Sequence, residues 1–232
     1  VIISRENKGL IYTLDEAINL SRGKYIARMD ADDISLPTRL QSQFDYMEDT
    51  GCDICGCHYD KFRDEINEVE FVPTTEDMIK LSLVSQVPFA HPSVMIRKSF
   101  LDTYGLKYST TGYCNAEDLA LWITMYDKGA KFGNVSEVLF RYRLLPTSLS
   151  NNNRGNLIKD TRTITFNYYK KNKQILESIF LLNIINAGKR DSKIFASYIA
   201  KSIFMSGDLK KIIFIRKVIF RDFLKACARE IK

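Results

Sequence analysis

The stretch Lys24-Tyr25-Ile26-Ala27-Arg28-Met29-Asp30-Ala31-Asp32-Asp33 decides the reading of this chain. Residues 24–27 are strand-like, and three carboxylates follow within four residues. Carboxylates this close repel each other, and a folded chain tolerates them best where a cation sits among them. Hard oxygen ligands with few neighbouring His or Cys suit Mg²⁺ or Mn²⁺, ions that bridge to phosphate oxygens. A strand delivering such a cluster at its carboxyl end is a candidate metal–diphosphate site. A solvated acidic turn is the plainer alternative. A calcium-binding EF-hand loop is excluded, since Ser35 stands at the glycine position and Gln41 at that of the closing glutamate.

Outward from this stretch, short strands and helices alternate. Residues 9–21 read as a helix, 24–29 as a strand, 37–50 as a helix beginning at Pro37, and 52–59 as a strand. Then come a helix over 75–84, a strand over 93–97 and a helix over 116–128 closed near Gly129. This order predicts an α/β layered sheet, whose ligands bind beyond the carboxyl ends of the strands. Val1-Ile2-Ile3-Ser4 reads as a further strand of that sheet. From 151 the pattern becomes all-helical, over 156–172, 174–187, 191–206 and 208–230, with Gly188 and Gly207 as punctuation and Asp191 and Asp208 as caps.

Several segments around the acidic cluster, taken in order, resemble the inverting family 2 glycosyltransferases of GT-A fold. They are Asn7-Lys8-Gly9-Leu10, Leu14 to Ser21, Arg22-Gly23-Lys24, then Ile34-Ser35-Leu36-Pro37 with Arg39-Leu40 and Gln43. Further on, His91 to Arg97, Ala116-Glu117-Asp118-Leu119-Ala120-Leu121-Trp122 and Asn134-Val135 leading to Leu139–Arg143 continue the similarity across about residues 1–150. It implies a GT-A-type mixed sheet flanked by helices over 1–150, N-terminally incomplete, and a basic helical region over 151–232. The elements that hold the base and ribose in the family have no counterpart here, so the sequence reads as a fragment or as a protein without its uridine-side half.

The resemblance also implies roles. Asp30 and Asp32 stand where the family holds its metal and the donor diphosphate, with Mn²⁺ or Mg²⁺ as the cofactor. Asp33 then orients the loop or contacts sugar. Asp118 matches the base that takes the acceptor proton. It lies in the first turn of a helix, whose dipole favours an ionised carboxylate, and simple helix-end stabilisation is the alternative. Glu117 caps the helix, contacts acceptor or tunes the field. Trp122, one turn on, walls the acceptor site or belongs to the core. His91, held extended by Pro92, lines the sugar site or is a hydrogen-bonded structural histidine. Arg141 and Arg143 share one side of a strand near the family's final sheet region, within reach of phosphate. Leu145 replaces a histidine common in the family, and the Gln-x-x-Arg-Trp pattern of processive relatives is absent, which points to transfer of a single sugar.

Charge divides the chain. Residues 1–150 hold 16 Lys and Arg against 22 Asp and Glu, while residues 151–232 hold 18 against 6. In the last predicted helix Ile212, Ile219, Phe223 and Cys227 share one face, and Lys210, Lys217, Arg221 and Lys225 the other. That helix packs on the catalytic half with a solvated basic face, or lies on anionic lipid. No nucleic-acid-binding motif accompanies the charge. The run Ile179–Ile185 is too short for a membrane span, and no signal peptide is visible. Cys52, Cys55, Cys57 and His58 suggest zinc, but their alternation along a strand fits reduced core cysteines of a cytosolic protein better.

Together these features point to a cytoplasmic enzyme, peripheral on the inner membrane face. It moves a sugar from a UDP-linked nucleotide-sugar donor to a glycan or glycolipid acceptor of lipopolysaccharide or capsule type. The alternative is a non-catalytic carbohydrate- or membrane-binding remnant of such an enzyme.

Overall fold

The computed structural model describes residues 2–85, 87–146, 153–185, 188–218 and 220–231. Six strands form one mixed sheet: β1 (Tyr25–Ala27), β2 (Ile34–Ser35), β3 (Ile54–Arg63), β4 (Ile66–Glu70), β5 (Met95–Arg97) and β6 (Phe132–Arg143). Their order is β1-β5-β3-β6-β2, with β4 on β3. β3 and β6 are parallel, whereas β5 runs antiparallel to both β1 and β3. β1, β3 and β6 therefore point the same way. The acidic loop leaves the carboxyl end of β1 and crosses to β2, on the other side of the sheet, where Ile34 pairs with Arg141.

Helices cover both faces. α2 (Arg39–Thr50) closes one face over a small core of Met47, Cys52, Cys55, Cys57, Met95, Val135, Leu139 and Phe140. The three cysteines sit there as small hydrophobes, and burial pushes the Cys57 thiol up to about 11. The other face carries α1 (Leu10–Leu20), α3 (Glu76–Ser82), α4 (Lys98–Tyr104) and α5 (Glu117–Asp127). The helical region is α6 (Arg154–Ile184), α7 (Ser192–Ser206), a 3₁₀ segment Leu209–Lys217 and α8 (Phe220–Ile231). One hydrophobic core runs from Ile54, Ile96 and Phe132 on the sheet through Trp122 into Phe180, Phe195, Tyr198 and Ala226. Each Ile or Phe side chain so taken from water stabilises the fold by about 1.5–3 kcal/mol, so the two halves hold each other.

The helices expected over 156–172 and 174–187 meet at a kink at Asn172 within α6, where the backbone is non-helical and the Asn172 side chain donates to the Tyr168 carbonyl. Two expectations need correction. Residues 2–4 form no strand; Ile2 is 97% exposed and the β1 edge is left unpaired by them, so their β-branched pattern finds no partner backbone. The helix expected over 208–230 is two elements, so its two predicted faces do not exist as drawn. Ile212 is exposed rather than inward, and Ile219 lies outside the described residues. The predicted domain boundary near 150 also falls outside them.

Candidate active site

The acidic loop is held from below. Arg39, 1% exposed at the start of α2, donates to the Arg28 carbonyl at 2.6 Å and to Gln43 Oε1 at 3.0 Å. Gln43 in turn donates to the carbonyls of Cys55 and Ser93. A guanidinium this deep is tolerated because it is hydrogen-bonded, and its pair with Gln43 ties α2, β3 and the segment before β5 to the strand end that carries the acids. The backbone N–H of Arg28 adds a bond to Val94.

Asp30, Asp32 and Asp33 diverge in environment. Asp30 is half-buried and accepts Arg28 Nη2 at 2.7 Å. Asp32 is exposed, and its carbonyl accepts Arg143 Nε at 2.7 Å. Asp33 is 7% exposed; Oδ1 accepts the Arg143 N–H, while Oδ2 is buried with no partner. Burial, with Asp32 and Asp30 adding to it, pushes the Asp33 carboxyl up to about 6. Asp33 thus fastens the loop to β6. Arg143 lies against the cluster, whereas Arg141 pairs with Asp60 at 2.9 Å. Among the described residues no three His, Cys, Asp or Glu side chains converge as a ligand set. The oxygens of Asp30 and Asp32 suit a hard cation completed by water and phosphate, the way Mg²⁺ is commonly held.

The second acidic pair opens α5. Glu117 is buried and Asp118 half-buried, its Oδ1 accepting the Leu119 N–H. The helix start was expected to favour ionised Asp118. Burial outweighs that field and raises its pKa, against the pull of the Leu119 N–H and Arg28. Glu117 is raised by burial and then by Asp118. His91 is held neutral, its pKa well lowered by burial and then by Arg28. Its Nε2 meets the Tyr108 hydroxyl at 2.7 Å. Tyr108 is fixed in turn, because Asp15 of α1 accepts the N–H groups of Tyr108 and Ser109. Trp122 is fully buried beneath this corner, edge-on to Phe89, His91 and Tyr108. Its core reading describes its position, and the hydrogen-bonded reading describes His91.

Arg28 joins the two acidic groups. It is ion-paired to Asp30, its charge acts on Asp33, His91, Glu117 and Asp118, and its Nη1 is buried without a partner. Sequence reasoning left Arg28 without a role. The available signal was a cation at a strand end immediately before three carboxylates. A cleft of about 860 Å³ opens elsewhere, between β4 and α7, lined by His58, Phe71, Arg190 and Phe195.

Residues 1–105 match the family described as Glycosyl transferase family 2. The chain is similar to the uncharacterized glycosyltransferase MJ1057 of Methanocaldococcus jannaschii, 34% identical over 147 residues that cover 62% of this chain and 50% of that protein. It is also similar to the O-antigen biosynthesis glycosyltransferase WbnJ of Escherichia coli, 30% identical over 143 residues covering 58% and 53%. The chain spans about half the length of these curated relatives. In fold it resembles the crystal structure of S. aureus TarS 1-349, with TM-score 0.50 at 13% identity over 97% of this chain and 68% of that one. That likeness speaks for the GT-A-type sheet flanked by helices. The match to glycosyl transferase family 2 thus falls on the segment that holds the acidic loop, the Arg39–Gln43 pair and His91.

Proposed function

We propose that this chain carries the metal and acceptor side of an inverting glycosyltransferase that moves one sugar from a UDP-linked donor to a surface-glycan acceptor. The observation that carries the reading is Arg28. Its charge reaches both the acidic loop and the Glu117–Asp118 pair, so the two groups the chemistry needs share one electrostatic neighbourhood. Asp118 would accept the acceptor hydroxyl proton as that oxygen bonds the sugar carbon and the sugar–phosphate bond breaks, its electrons leaving with the nucleoside diphosphate. Asp30 and Asp32 would hold Mn²⁺ or Mg²⁺, which supplies charge neutralisation for the departing diphosphate. Arg143, already on the Asp32 carbonyl, would add a phosphate donor.

The name of the O-antigen biosynthesis enzyme similar to this chain favours a surface-polysaccharide product; a glycolipid acceptor at the cytoplasmic face of the membrane belongs to the proposal itself. No helix among the described residues is long and apolar enough to cross a membrane. The test is turnover of a panel of nucleotide sugars by the full natural chain, with and without Mn²⁺, beside Asp32→Ala. The reading expects metal-dependent turnover that the substitution abolishes. Turnover unaffected by Asp32→Ala would contradict the metal assignment, and no turnover of any donor would favour a binding remnant.

A further inference from the structure

Segment Leu209–Lys217 is a 3₁₀ helix, in which side chains at i and i+3 eclipse and three ridges result. One ridge turns inward: Lys211 is 2% exposed, held by Asp208 and Glu177, and Phe214 packs edge-on to Phe180 at 5.3 Å. On the other two ridges Leu209 and Ile212, and Lys210 and Ile213, are exposed. Leu209, Ile212 and Ile213 are 62%, 48% and 67% exposed, three large aliphatic side chains within five residues. Adjoining them, α8 turns Ala226, Phe223 and Cys227 to the core and leaves Arg221, Leu224 and Lys225 outside. The α-helical face expected from the sequence is thus replaced by an aliphatic corner beside a basic helix face.

We propose that this corner is where the protein docks on an anionic lipid bilayer. Leu209, Ile212 and Ile213 would enter the boundary of headgroups and acyl chains, with Lys210, Arg221 and Lys225 at the phosphates. Charge selects this occupant over a second copy of the chain. Lys210, Arg221 and Lys225 are exposed at the corner, against a half-buried Asp222 on α8 and an Asp208 that Lys211 engages, so two such surfaces repel while an anionic leaflet attracts. The inference deepens the proposed function by naming the surface that faces a lipid-borne acceptor, but docking needs no turnover.

The experiment is co-sedimentation of the full chain with vesicles of phosphatidylcholine alone or mixed with phosphatidylglycerol. Binding is expected only to the anionic vesicles. Changing Leu209, Ile212 and Ile213 together to Ser should weaken it by about 30–100-fold, and Lys210→Gln by about fivefold. The changed side chains are exposed, so the melting temperature should hold, and turnover of a soluble acceptor should be unaffected. Failure to bind anionic vesicles, or equal binding to neutral ones, would overturn the proposal. So would a triple variant that binds as well as the natural protein, or one that turns a natural dimer into a monomer in sedimentation velocity.

Discussion

Arg28 is a cation that both acidic groups of the site feel. Burial drives Asp118 and Glu117 towards protonation, and backbone hydrogen bonds oppose it, followed in both by the Arg28 guanidinium. A base works only when ionised, so activity should fall with pH through an acid limb above the ordinary aspartate value of about 3.9. Arg28→Met removes the opposing charge, and the limb in kcat/KM should move to still higher pH; an unmoved limb would count against this role. His91 gives a second pH effect. Its folded pKa lies well below the unfolded value of about 6.5, so the unfolded chain takes up the extra proton as pH falls below that value. Stability is therefore lost on acidification, and His91→Gln should flatten the melting temperature between pH 7 and pH 5 by comparison, to within about 1–2 °C. The acidic residues themselves were legible in the sequence, because Asp30, Asp32, Glu117 and Asp118 stand in short runs. Their ionisation was not. It depends on burial by segments far away in the chain, such as Tyr108, itself anchored by Asp15 93 residues earlier.

At the scale of elements, the helices of the first half were readable from periodicity, and the sheet only in part. β3 was expected to end near 59 but runs to Arg63 and turns into β4, a hairpin absent from the sequence reading. Its turn residues, Asp64 and Glu65, lack the Asn-Gly or Asp-Gly signature, and Asp64 takes the left-handed φ of 49° itself. β3 also depends on Gly56, where a Cβ would sit 2.3 Å from Asn134 Oδ1 and 2.8 Å from the Phe89 ring. Asn134 is fixed by bonds to the carbonyls of Pro73 and Pro88, so it has little room to yield. Gly56→Ala should cost about 1–3 kcal/mol in denaturant unfolding. Because Phe89 packs on Trp122, the near-ultraviolet spectrum of that tryptophan should change as well. The 3₁₀ segment was read as α-helix for a related reason. Nine residues give periodicity too little to choose between 3.0 and 3.6 residues per turn, and the inward Lys211 carries no apolar signal.

Across the whole molecule, the helical region is fastened to itself by cations whose partners lie on neighbouring helices. Lys201, 4% exposed in α7, reaches Thr165 of α6 at 3.0 Å and Glu230 of α8 at 3.3 Å. Arg162 of α6 donates to the carbonyls of Arg229 and Glu230, closing the end of α8. A net excess of basic residues conceals such pairs, since sequence shows the charge and not its depth. Glu230→Ala should therefore destabilise the fold by about 2–4 kcal/mol despite its place near the chain's end, by leaving Lys201 buried with only a hydroxyl. A loss below about 0.5 kcal/mol in chemical denaturation would mean that α8 is not held this way.

The most direct measurement of the central claim, that Asp118 takes the acceptor proton in a sugar transfer, is turnover and thermal melting on one sample of Asp118→Asn in the full natural chain. Asparagine keeps the shape and the acceptor for the Leu119 N–H but cannot take a proton. Turnover should fall by about 10²–10⁴-fold with the melting temperature and donor binding nearly unchanged. Near-natural turnover, whatever the melting temperature, would contradict the claim.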